Sequence, residues 1–215
     1  MTVAYPLKSQ SDYTELRYSL RSIERFYPRP TEVLIIGEKL PDWITNVTLI
    51  RVEDITSRKQ LTIKYKILAA LEYTKEIFFM NDDVYLLQPP DYKYHYHGDL
   101  ISVGEAGARP LRNQLLNMGL PTKNFDGHYP LVYRQDFIQI LDKFAHDVIV
   151  KSAYCNYLQI EGEYVPDNKL ITQKNPEDIK GFIHGRPSFS TGAHSLHRTL
   201  PILHEYFPNK SRYEV

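Results

Sequence analysis

The chain has one cysteine, Cys155, in 215 residues, so no internal disulfide can form and no cluster of thiolates can hold zinc. It also has no charge imbalance: Lys plus Arg and Asp plus Glu both number 26, which leaves no global basic field to hold the chain on nucleic acid or an acidic membrane. No apolar run is long enough to span a bilayer, and the N-terminus lacks the basic-then-apolar pattern of a signal peptide, so the chain reads as cytoplasmic. No glycine-rich loop follows the first apolar run, which argues against a dinucleotide-binding enzyme and against a P-loop nucleotidase. Tyrosine, by contrast, is abundant at 17 residues, and a flat ring with a hydrogen-bonding tip suits a cleft for rings or sugars as well as ordinary packing.

What is present is organised around Glu76-Ile77-Phe78-Phe79-Met80-Asn81-Asp82-Asp83-Val84. An unbroken apolar run reads as a strand buried on both faces, and two adjacent carboxylates at its end are costly to desolvate without a positive partner. A hard divalent cation is one such partner. The local alternative is an Asn/Asp turn that bonds its own backbone. Upstream, Thr2-Val3-Ala4-Tyr5-Pro6-Leu7 reads as a first strand, and a helix with Leu16, Leu20 and Ile23 inward precedes Pro28 and Pro30. Val33 to Gly37 and Val47 to Val52 read as further strands. A capping-box pattern at Ser57 opens a helix to about Tyr73, with Lys66 on its solvated face. Strands separated by helices predict an α/β fold: a Rossmann-like, mostly parallel sheet flanked by helices.

In this setting Asn81-Asp82-Asp83-Val84 resembles the Asp-x-Asp motif of the GT-A glycosyltransferases, with an amide in place of the first acid. The resemblance implies that Asp83 binds Mn²⁺ or Mg²⁺ bridging a nucleotide-sugar diphosphate and that the acid before it contacts ribose or sugar hydroxyls. Tyr5, Arg58, Lys59, Asn81 and Asp82 are then the expected donor-binding residues, with Arg58 and Lys59 at a helix start that favours phosphate. A narrower resemblance, through Glu15-Leu16-Arg17-Tyr18-Ser19-Leu20-Arg21-Ser22-Ile23-Glu24 and the acidic stretch, is to the Stealth capsule polysaccharide transferases, which move sugar phosphates. The chain divides on this reading into a nucleotide-sugar half, about 1–104, and an acceptor-side half, about 105–215, of one domain.

The second half supplies the other candidates. Asp99 to Gly104 reads as a strand. Asp126 or His128, flanking Gly127 before an apolar run, could take the acceptor proton, while a simple turn explains the same residues. After the apolar Gly181-Phe182-Ile183, read as a short strand, come His184 and Arg186. In the GT-A family a C-terminal His completes the metal site; His184 matches best and His194 second. Arg186 has the fork to neutralise a departing diphosphate. Glu161, Glu163 and Asp167 are further acids, read as solvated. The resulting expectation is a metal-assisted, hexosyl-type transfer from a nucleoside-diphosphate sugar, a UDP-sugar first among them, to a carbohydrate hydroxyl. A modified base in DNA, gripped by a track of Arg109, Arg112, Lys123, Lys210 and Arg212, is one alternative; Stealth-type sugar-phosphate transfer and a non-catalytic binding module are the others.

Overall fold

In a computed structural model, described for residues 1–9, 12–27, 32–55, 58–102, 104, 107–125, 128–144, 148–171, 175–192 and 194–215, the first half runs β1 Thr2–Pro6, α1 Thr14–Phe26, β2 Val33–Gly37, β3 Thr48–Arg51, α2 Lys59–Tyr73, β4 Glu76–Phe79, β5 Val84–Leu86 and β6 His95–Tyr96. The second half follows with α3 Ala108–Asn117, β7 Leu131–Arg134, α4 Phe137–Leu141, α5 Val150–Tyr157, β8 Glu163–Tyr164, α6 Pro176–Ile183, β9 Ser188–Ser190 and α7 Leu196–Tyr206.

Five of these strands form one sheet in the order β3-β2-β1-β4-β7, all parallel except β7, which runs antiparallel to β4. Successive side chains of a strand point to opposite faces, and both faces are covered. Val3, Tyr5, Val33, Ile35 and Phe78 pack with Leu16, Leu20 and Ile23 of α1. Ala4, Leu34, Ile36, Ile77 and Phe79 pack with Ile67, Ala70 and Leu71 of α2 and with residues of α3, α4 and α5. Double coverage is why the central strands read as apolar runs without alternation. The expected Rossmann-like α/β architecture is therefore present. α1 ends at Phe26; Pro28 and Pro30, expected to stop it, lie outside the described residues, as does Ser57 of the expected capping box.

A smaller antiparallel ribbon of β5 and β9 lies beyond the sheet, its Tyr85 and Phe189 packed with Ile179, Ile183, Ile202 and Leu203 of α6 and α7. Two local expectations fail here and nearby. Gly181-Phe182-Ile183 closes α6 instead of forming a strand, because Asn175 accepts from Asp178 N at 2.8 Å and Pro176 begins the helix, two start signals that outweigh a short apolar run. Asp99 bends the next segment into a 3-10 turn at Leu100–Ser102, its Oδ1 accepting from Ile101 N at 2.8 Å and its carbonyl from Ser102 Oγ at 2.7 Å.

One contact shapes the rim of the sheet. The segment after β1 crosses the end of β2 so closely that a Cβ on Gly37 would stand 2.6 Å from Leu7 O. Gly37→Ala must therefore push backbone, and the expected loss is about 1–3 kcal/mol of stability. Urea denaturation measures it; an unchanged midpoint would mean that the loop moves at no cost. Among the described residues no helix is long and apolar enough to cross a membrane.

Candidate active site at the end of the central strand

The chain leaves β1 toward β2 on one side and returns through α2 to β4 on the other, so the carboxyl ends of β1 and β4 flank the switch point where open α/β sheets bind ligands. The acidic stretch begins there. Met80 N bonds Ala4 O at 3.0 Å, Val84 N turns back to Asn81 O at 3.2 Å, and Asp83 O accepts from Thr191 N at 3.0 Å, which ties the turn to the segment after β9. Burial pushes the Asp82 carboxyl up to about 6, helped by the Glu15 charge and opposed by Lys66 and two backbone N–H groups. Burial likewise pushes Asp83 up to about 7, with Asp82 and Glu15 adding to it and the His128–Lys169 pair opposing it. Asp83 Oδ1 is buried with no hydrogen-bond partner among the described residues.

In charge reach of Asp83, His128 Nδ1 lies 3.1 Å from Asp167 Oδ1 and its Nε2 3.3 Å from Lys169 Nζ. Burial raises Asp167, but its bond to His128, the His128 and His97 imidazoles and the Lys169 N–H together bring it down to about 2. An ionised carboxylate only accepts and an ammonium only donates, so the His128 proton is on Nδ1 and the Nε2 lone pair receives from Lys169. A cavity of about 220 Å³ opens beside them, lined among others by Lys59, Asn81, His97, Asn124, His128 and Asp167. Its lining is mainly polar, as fits a hydroxyl-rich ligand.

Of the donor-binding residues expected from the sequence, Asn81 and Lys59 line this cavity, whereas Asp82, next in the turn, is not among the lining residues. Tyr5 does not face a ligand: it is fully buried, and its hydroxyl lies 3.1 Å from Ser19 Oγ, binding β1 to α1. Arg58 is exposed at the cap of α2 and is not among the cavity residues. The imidazole on the Asp83 side of the fold is His128; His184 is exposed at the end of α6, and His194 is exposed as well. Arg186 spends its guanidinium on backbone, donating to Phe182 O at 2.7 Å and Asp167 O at 3.4 Å while stacking on the Phe182 ring. Asp126 lies outside the described residues. Lys169, which no sequence pattern marks, takes the cationic place, and Asp167 is half-buried rather than solvated.

The proposed nucleic-acid track does not assemble. Arg112 is paired with Asp99 at 3.1 Å and Lys123 donates to Glu161 O, both on the α3 side. Arg212 pairs with Glu24 of α1 at 2.6 Å, on the other face of the sheet.

The acidic pair fits a divalent cation through its donor set: adjacent half-buried carboxylates that repel each other, one with a buried oxygen that nothing described satisfies. Among the described residues, however, no three His, Cys, Asp or Glu side chains converge as a metal cluster.

The chain matches no known protein-family model and none of the curated proteins. Among solved structures it is similar to TarS from S. aureus at 14% identity and a TM-score of 0.37, covering 85% of this chain and 38% of that one. It is also similar to the apo form of the glycosyltransferase GlyE from Streptococcus pneumoniae TIGR4, at 12% identity and a TM-score of 0.35, covering 78% of this chain and 46% of that one. Mouse xyloside xylosyltransferase 1 matches at 8% identity and a TM-score of 0.38, over 99% of this chain and 95% of that one. The chain thus spans less than half the length of the first two, and none of the three bears the Stealth name.

Proposed function

We propose that the chain is a glycosyltransferase that moves a sugar from a nucleoside-diphosphate sugar to a hydroxyl of a carbohydrate acceptor. The observation that carries this reading is the placement of Asp82 and Asp83 at the switch point of the sheet, with Asp83 in charge reach of His128 and Lys169 and Asn81 of the same turn lining a polar cavity. In the reaction the bond between the anomeric carbon and the diphosphate oxygen breaks, and both electrons leave on the diphosphate. The acceptor oxygen bonds to the same carbon, and its proton passes to a base. Because His128 Nε2 already receives from Lys169, Asp126 is the candidate for that base. Asp83 and Asp82 would hold a Mn²⁺ or Mg²⁺ ion, which when bound supplies positive charge for the diphosphate. Asn81, Asn124 and His97 line the cavity with amide and imidazole groups suited to sugar hydroxyls, and burial lowers His97.

The test is release of nucleoside diphosphate from a panel of nucleotide sugars, UDP-sugars foremost, with and without Mn²⁺ and with mono- and oligosaccharide acceptors. Turnover should require a donor of this class. If no donor is cleaved and none raises the melting temperature, the transferase reading is wrong.

A further inference from the structure

Lys169 is held with more care than a surface lysine requires. Its segment, residues 168–170, lies along β9: Lys169 pairs with Ser190 in a parallel bridge, Leu170 N donates to Ser190 O at 2.8 Å and Ser190 N to Asn168 O at 3.0 Å. Asn168, fully buried, fixes the register by donating to His128 O at 2.9 Å and to Ser188 Oγ at 3.0 Å. The Lys169 stem then passes Gly192, where a Cβ would stand 3.1 Å from its Cε and 3.8 Å from its Nζ. Gly192 does not have a left-handed φ, so space rather than backbone conformation calls for glycine there. The ammonium ends against His128 Nε2, an acceptor oriented in turn by Asp167.

Were Lys169 only the counter-ion of Asp83, its ammonium would bond a carboxylate oxygen. Instead Asp83 Oδ1 is left without a partner among the described residues, and the ammonium bonds the imidazole. A lysine has three N–H groups, and one suffices for Nε2. The bond also restrains a flexible four-carbon stem before any substrate arrives, which reduces the ordering cost of binding.

We propose that Lys169 is a catalytic residue of this transferase, contacting the donor diphosphate as its bond to the sugar breaks. The proposal rests on the transferase reading above. No proton moves to or from Lys169: its remaining N–H groups stabilise the charge that arrives on the phosphate oxygen, as preorganised donors do at a developing anion. Arg186 donates two of its five N–H groups to carbonyls and stacks on the Phe182 ring, which fixes it in a bracing position beside Asp167.

The experiment compares Lys169→Met, Lys169→Arg and Gly192→Ala with the wild type, measuring kcat with the best donor and the calorimetric affinity of UDP, GDP and ADP against uridine, guanosine and adenosine. Lys169→Met should lower kcat by about 10²-fold or more and weaken the preferred nucleoside diphosphate by about tenfold, with nucleoside affinity and melting curve unchanged. Lys169→Arg should restore part of the loss, and Gly192→Ala, which crowds the stem without removing charge, should fall between. Wild-type kcat in Lys169→Met overturns the proposal, and so does an equal loss of nucleoside and nucleoside-diphosphate affinity, which would make Lys169 a structural prop. A wild type that cleaves no donor and binds no nucleoside diphosphate refutes the transferase reading itself, and this inference with it.

Discussion

Asp83→Asn should abolish turnover, by about 10³-fold or more, and at the same time make the metal-free protein more stable at alkaline pH. Both effects come from one feature. Burial and the neighbouring Asp82 raise the Asp83 carboxyl to about 7, so the folded chain binds that proton more tightly than the unfolded chain, where an ordinary carboxylate range applies. Stability tied to this group is therefore fully present at acid pH and is lost as pH rises through about 7. A shift from 3.8 to about 7 corresponds to about 4 kcal/mol. An isosteric amide removes the penalty: in chelator-treated protein Asp83→Asn should melt above wild type at pH 8.5 and level with it near pH 4. Added Mn²⁺ should raise the wild type by a similar increment and leave Asp83→Asn unmoved, since only a cation that binds the native state stabilises it. If the asparagine variant is no more stable at pH 8.5, Asp83 is not the strained group that its surroundings imply; if it keeps turnover, the carboxylate has no part in the reaction.

The acidic turn was legible because its signal is local. An apolar run ending in Asn81-Asp82-Asp83 requires a strand and then a charge problem, and the parallel sheet follows from the strand and helix order with no knowledge of distant pairings. The opposing half of the site has no such signature. His128 meets Asp167 only because β7 turns antiparallel along β4, and Lys169 meets His128 only because residues 168–170 align on β9, which itself pairs with β5. Each contact spans about forty residues or more of chain, where local pattern is silent. Local pattern points instead to His184 and Arg186 as the C-terminal imidazole and guanidinium, because their motif is conspicuous. In the fold that motif ends α6, and the guanidinium braces backbone. Asp167-Asn168-Lys169, with no spacing rule to recommend it, carries a buried amide between two charged side chains, and only the burial of Asn168 separates it from an ordinary loop.

Lys66→Met should destabilise the fold by about 3–5 kcal/mol, although helical periodicity groups Lys66 with Lys59 and Thr62 on a solvated face. The face is in fact turned toward the ends of the strands. Lys66 is 3% exposed, and its Nζ lies 2.5 Å from Asp54 Oδ1 and 2.7 Å from Leu7 O. A buried ammonium is tolerated only when paired and bonded, and here both conditions hold. Replacing it with methionine strands the Asp54 carboxylate, 14% exposed, and leaves the Leu7 carbonyl without this donor. The two partners stand in the segments after β3 and β1, so the ammonium joins α2 to both of these loops, and its charge also restrains the rise of Asp82 beside the switch point. Loss of stability and loss of donor binding should therefore arrive together in the single variant. They come apart in the double variant Lys66→Met/Asp54→Leu: an apolar pair of similar volume should recover most of the stability, while donor turnover stays low because the loops have lost their polar tie. Urea denaturation of the two single variants and the double variant gives the coupling energy directly. A cost below about 1 kcal/mol for Lys66→Met, the range of an exposed ion pair, would show that the ammonium reaches water and that other contacts hold these loops.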